Sequence, residues 1–136
     1  KKVTILRAND YPNSTFYIKL STKKIDFVAT KADINAEFLE MLDEEMQSLR
    51  QELIKIGGQV MKTTPAKFAN IGNAFGGVYD YTYKNVELNA LRKTVIYTLI
   101  IGSTYYNLTI SWDDAKSKNP KETVNALLEK IKLCDW

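Results

Sequence analysis

Six tyrosines, Tyr79, Tyr81, Tyr83, Tyr97, Tyr105 and Tyr106, crowd into two neighbouring stretches of a 136-residue chain that contains no histidine. Without imidazole there is no Ser-His-Asp or Cys-His nucleophile and no histidine metal site. The side chain most used as acid or base near neutral pH is missing as well. Cys134 is the single cysteine, so an internal disulfide and a cysteine-based zinc site are both ruled out. We expect it to be a semi-buried anchor for the last helical turn, compatible with either redox compartment.

The carboxylates offer little more. Asp113 and Asp114 are adjacent, but a hard cation needs six or more oxygens at ordered spacing, and no further acid stands nearby. No metal and no cofactor are expected. Asp80 and Glu87 would serve as an acid/base pair only if the fold set them at a defined separation. Gly72, Gly76 and Gly77 do not spell G-x-G-x-x-G and do not open a helix, so turns or bulges explain them better than phosphate binding. Asn13-Ser14-Thr15 and Asn107-Leu108-Thr109 match the glycosylation sequon, a chance match in a chain rich in Asn and Thr.

The tyrosines remain. Aromatic residues cover a pleated surface well, and packing in a core is their ordinary use. The functional alternative is an amphipathic recognition patch, apolar in the ring and polar at the hydroxyl. Its residues would be Tyr79, Tyr81, Tyr83, Tyr105 and Asn107, with Thr94, Thr98, Thr109 and Ser111 adding neutral hydrogen-bonding groups.

Strands must position these side chains. Val95 to Ile101 and Thr104 to Trp112 flank Gly102-Ser103, and a glycine at the first central position suits a type II′ hairpin turn. That turn sets Leu99 against Tyr106, Tyr97 against Leu108 and Val95 against Ile110 on one apolar face. The other face takes Thr98 with Asn107, Ile96 with Thr109 and Thr94 with Ser111. A one-residue slip would turn the apolar set to solvent, so the register is well specified. Val78 to Lys84 alternates its tyrosines against Asp80, Thr82 and Lys84, as a strand does.

Earlier in the chain, Val3 to Arg7, Thr15 to Leu20 and Ile25 to Ala29 read as short strands, the last two as a hairpin about Ser21–Lys24. A long helix is expected from an Asp33 N-cap to Gly57-Gly58. Ile34, Phe38, Met41, Leu42, Met46, Leu49, Leu53 and Ile56 form its apolar stripe. Gln59 to Thr64 resumes extended structure, with Pro65 confining it to an edge or strand end. Gly72-Asn73 and Gly76-Gly77 read as brackets around a flexible segment. Asn119-Pro120 opens a last helix, with Asn119 as N-cap, and Val124, Leu127, Leu128, Ile131 and Cys134 on its buried side. Trp136 is expected near the sheet edge.

The order of elements predicts a single α+β domain: a central antiparallel sheet of about six strands with a long helix and a C-terminal helix packed on it. No apolar run approaches the ~20 residues of a membrane span. The chain begins at Lys1, which reads as a trimmed or processed form from which any signal or lipid anchor is already gone. Seven acids and two bases between Asp33 and Gly57 make that stretch −5, within a whole-chain charge of +3. A solvated helix face is the ordinary reading of the acids. The remaining bases are dispersed and frame no nucleic-acid motif.

From Asp33 onward the layout resembles the PsbP-like superfamily, which includes the Ran-binding Mog-type proteins and bacterial DcrB-like envelope lipoproteins. The resemblance rests on the long helix before the meander, Gly76-Gly77-Val78-Tyr79-Asp80-Tyr81, Tyr105-Tyr106-Asn107-Leu108-Thr109 and the helix from Asn119 to Ile131. It implies helices on both sides of the sheet, no enzymatic activity, and an adaptor or assembly role, often as an exported lipoprotein. The early proline-tryptophan segment of that family is not recognisable between Tyr11 and Val28. With no histidine, no metal site carries over.

The reading is therefore a non-enzymatic protein-interaction module of a bacterial, extracytoplasmic protein, binding another protein in the cell envelope or outside it. The alternative is a small-molecule or lipid carrier with a cavity between the long helix and the sheet. A third reading is an enzyme using Asp80, Glu87, lysine or tyrosine as acid and base.

Overall fold

A computed structural model describes residues 2–9, 16–85, 90–117 and 119–135. Strands β1 (Lys2–Asn9) and β2 (Phe16–Lys24) precede helix α1 (Ala36–Lys55), and β3 (Gly58–Ile71), β4 (Ala74–Asn85), β5 (Ala90–Ile101) and β6 (Thr104–Asp113) follow it. Helix α2 (Pro120–Lys130) closes the order. The six strands form one antiparallel sheet in the order β1-β2-β6-β5-β4-β3. The expected α+β architecture is present.

The β5–β6 hairpin has the register read from the alternation, with Leu99 opposite Tyr106 and Val95 opposite Ile110. Gly102 has φ +60° while Ser103 has a negative φ, the combination a type II′ turn demands. One face packs Leu99, Tyr106, Leu108 and Ile110 beneath Val124, Leu127 and Leu128 of α2. The opposite face packs Tyr79, Tyr81, Ile96 and Ile100 beneath Phe38, Leu42 and Met46 of α1. Because strand side chains alternate, these two clusters lie on opposite sides of the sheet, and the domain has three layers.

Several local expectations change. β2 continues through Ser21 and Thr22, both buried, and pairs with β6 as far as Lys24 opposite Thr104. Ile25 to Ala29 is therefore not a strand but a loop hooked over the hairpin turn by Ile25 N–H to Ser103 O and Ala29 N–H to Gly102 O. β2 pairs instead with β1. Asn35, not Asp33, caps α1 by accepting from the Phe38 N–H at 3.2 Å. Asp33 ends a 3-10 turn (Lys31–Asp33) and accepts from the Thr30 N–H at 2.7 Å. Helix α1 stops before Gly57-Gly58 as expected.

Gly76 and Gly77 do not bracket a flexible segment; they lie inside β4, where neighbours come closest. A Cβ on Gly77 would stand 2.5 Å from Leu42 Cδ1, so the bare backbone is what lets α1 settle on the sheet. Edge strand β3 runs through Pro65 by irregularities between Val60 and Lys62 and between Thr64 and Lys67. There Asp43 of α1 accepts from the Ala66 N–H at 2.8 Å, satisfying a donor that the interrupted ladder leaves over. The position read as part of a solvated acidic face thus ties helix to edge. Asn119 adopts a left-handed conformation (φ 50°) and makes no side-chain cap. Glu87, Asn13-Ser14-Thr15 and Trp136 lie outside the described residues.

Cys134 is exposed and lies beyond α2. Its backbone, rather than its side chain, is the anchor: Tyr106 Oη donates to the Cys134 carbonyl at 2.7 Å. One residue later Asp135 Oδ1 accepts from Thr104 Oγ1 at 2.8 Å, Lys24 Nζ at 3.1 Å and the Ser103 N–H at 3.1 Å. Gly102 leaves room for this carboxylate, which a Cβ there would strike. The Thr104 hydroxyl first, then Lys24, bring the Asp135 carboxyl from its ordinary 3.8 down to about 2. A depressed carboxyl favours the folded form above its unfolded pKa and loses that contribution as pH falls through the folded value. The tail should therefore hold at pH 5 to 7 and release between about 4 and 2. At neutral pH, Asp135→Ala should speed hydrogen exchange at the Ser103 amide about tenfold. Equal protection in variant and parent would mean the clasp does not hold the tail.

Candidate functional site

α1 packs over β3 and β4. The rest of that sheet face forms an open trough between α1 and β2. The register lays out its floor in rows: Tyr81–Thr94–Ser111–Tyr17, then Tyr79–Ile96–Thr109–Lys19. Two depressions lie along neighbouring rows of this face. One, of about 330 Å³, is lined by Phe16, Tyr17, Tyr81, Tyr83, Arg92, Thr94, Thr109 and Ser111. The other, of about 530 Å³, lies under the α1 edge carrying Met41, Glu44, Glu45, Ser48, Leu49 and Glu52, with Tyr79, Ile96 and Asn107 as its base.

The structure brings all five sequence-expected residues to this one face, but divides their duties. Tyr79 and Tyr81 are 4% and 6% exposed and belong to the core under α1, so only their edges reach the trough. Tyr83, Tyr105 and Asn107 are half-buried. The Tyr81 and Tyr83 rings lie 5.9 Å apart and tilted. Lys23 Nζ sits 5.8 Å over the Tyr105 ring, a cation–π distance. Asn107 Nδ2 donates to Thr98 Oγ1 at 3.4 Å.

Arg92, Thr94 and Ser111 are the residues that sequence reasoning underused. Arg92 Nε donates to Ser111 Oγ at 3.2 Å, and Thr94 Oγ1 lies 3.1 Å from the same hydroxyl. Their strand alternation beside the tyrosines was the available signal. The trough's sides carry opposite charge, with Glu44, Glu45 and Glu52 on α1 and Lys19 and Lys23 on β2.

The phenols here are donors, not bases. Burial, then the Glu45 carboxylate, pushes the Tyr79 hydroxyl well above the ordinary tyrosine range and raises Tyr105, and burial raises Tyr81. A phenol so shifted stays protonated at neutral pH. Asp80 points to the other face, where it accepts from Thr64 Oγ1 at 2.9 Å and stands 4.0 Å from Lys93 Nζ. Asp113 accepts from the N–H groups of Ala115 and Lys116 at 3.0 and 3.1 Å, shaping a turn. Among the described residues no group of three His, Cys, Asp or Glu side chains converges as a metal site. No described helix is long and apolar enough to cross a membrane.

The chain matches no protein-family model and no curated protein. Among solved structures it is similar to PA94 of Pseudomonas aeruginosa, a protein of unknown function named as a candidate regulator. The TM-score is 0.47 at 10% sequence identity, over 100% of this chain and 83% of that one. A likeness of this degree assigns neither family nor activity.

Proposed function

We propose that the domain is a protein-interaction module that holds a polypeptide segment of its partner in the trough between α1 and β2. The observation that carries the reading is the trough's composition. Its floor is hydroxyl-rich, tyrosine edges and Arg92 face it, and its two sides bear opposite charge. Tyrosine and arginine are the residues enriched at interface hot spots. Opposed charges on the two sides favour one orientation of the bound segment and make association salt-sensitive.

A carrier cavity between α1 and the sheet has less support. Leu42 is fully buried there and Met46 is 3% exposed, packed on Tyr79, Tyr81 and Ile96. A non-enzymatic role, a bacterial cell-envelope location and a PsbP-like affiliation belong to the same proposal, and the pattern of elements is their support.

The test is retention from a source-cell envelope extract by the immobilised domain. One protein retained stoichiometrically by the parent should fall about tenfold with Asn107→Arg/Thr109→Arg, which plants charge and bulk on the half-buried floor. Met61→Ser, on the exposed β3 edge, should leave retention unchanged. Tyr79 and Tyr81 are unsuitable for this purpose because their loss would damage the core. Full retention by the floor variant would overturn the reading.

A further inference from the structure

The opposite face of the sheet carries a second recess, under the flank of α2. Lys67 from β3, Lys93 from β5 and Lys121 from α2 reach it from three separate elements. Its walls are apolar and aromatic, including Val95, Tyr97 and Trp112. Asp80 is the single acid among the described residues of the lining, and it is already engaged by Thr64 and Lys93. Three cations against one acid leave a net charge of +2 in the recess.

Trp112 adds a second, independent sign. It is 3% exposed, and its Nε1–H is shut from solvent with no hydrogen-bond acceptor among the described residues. Leaving a buried donor unpaired is costly, so native structures seldom do so without a reason. The recess measures about 240 Å³, below the ~300 Å³ at which sites for drug-sized ligands begin. At ~30 Å³ per liquid water it holds about eight waters' worth of material. A flat ring bearing one anionic group matches that size, the apolar walls and the excess positive charge.

We propose that this recess is a binding site for a compact anionic ligand, a carboxylate or phosphate on a small apolar or aromatic body. Lysine recognises such a group as a point charge, without the paired geometry arginine imposes. The lysines supply the charge, and Val95, Tyr97 and Trp112 hold the body of the ligand. The site lies across the sheet from the trough and does not depend on it.

The experiment is a titration of the ¹⁵N-labelled protein, read at the Trp112 indole N–H; the signal is distinguished from that of Trp136 with Trp136→Phe. The probes are benzoate, phenyl phosphate and benzyl alcohol. Benzoate or phenyl phosphate should give a saturable shift, and the tighter of the two identifies the preferred anion. Benzyl alcohol, with the same ring and no charge, should bind about tenfold more weakly or worse. Lys93→Met/Lys121→Met should weaken the anion about tenfold, and so should a rise in salt from 0.05 to about 0.5 M. Asn107→Arg/Thr109→Arg should leave it unchanged, so this site and the trough fail or stand separately. Equal binding of benzyl alcohol and both anions, or no effect of the lysine variant, would overturn the proposal.

Discussion

Leu42→Ala should lose about 3–5 kcal/mol of folding stability, because a fully buried leucine leaves both lost transfer energy and an unfilled cavity. Leu42 is the most deeply buried of the side chains through which α1 meets the sheet. It enters the space above Gly77 and joins Phe38 and Met46 in the cluster that includes Tyr79 and Tyr81. Collapse around the void is restricted, since the strand backbone beneath it is held by ladders on both sides. Leu42→Met keeps the volume and should cost less than about 1.5 kcal/mol. Urea denaturation of the two variants decides the matter; a loss under about 1 kcal/mol for Leu42→Ala would mean that α1 can settle without this contact. The prediction bears on function as well. The acidic side of the trough is part of α1, so on the proposed reading a loosened helix should weaken partner retention even though the floor is intact.

The second large effect is expected at Gly76. A Cβ there would fall onto the Thr98 carbonyl, within bonding range of backbone that cannot turn aside as a side chain can. Gly76 pairs with Leu99 in the middle of the sheet, so relief requires β4 and β5 to separate where both are buried. Gly76→Ala should cost about 3 kcal/mol or more. Gly72→Ala provides the contrast. Gly72 has φ +58° and open space where its Cβ would be, so only the left-handed backbone penalty of about 1–2 kcal/mol applies. If the two variants lose the same stability, the close approach of β4 to β5 is not what excludes a side chain at Gly76.

These two sites also mark how far local pattern could be read. Gly76-Gly77 looked like punctuation because glycines outside turns are uncommon in strands. Their role is to admit a carbonyl from one side and a helix side chain from the other. Both neighbours are distant in sequence, and no local signal names them. The same holds for Ser21-Thr22-Lys23-Lys24, which has turn composition yet is strand. Its hydroxyls are buried against β1 and β6, Lys23 lies over Tyr105, and Lys24 meets Asp135 across 111 positions of chain.

The sequence by itself determined the β5–β6 register, the type II′ turn, the extent of α1 to within a few residues, the α+β class and the common face of Tyr79, Tyr81 and Tyr83. Each follows from side-chain period or turn chemistry within a window of a few residues to twenty, where backbone geometry alone relates the positions. Only the tertiary structure decided which strands α1 covers. That choice buries Tyr79 and Tyr81, leaves Tyr83, Tyr105 and Asn107 half-open, and creates the trough beside them. It decided likewise that Lys67, Lys93 and Lys121 share one recess with Trp112. Packing depends on the shapes two distant surfaces present to each other, and periodicity along one segment carries no record of its partner.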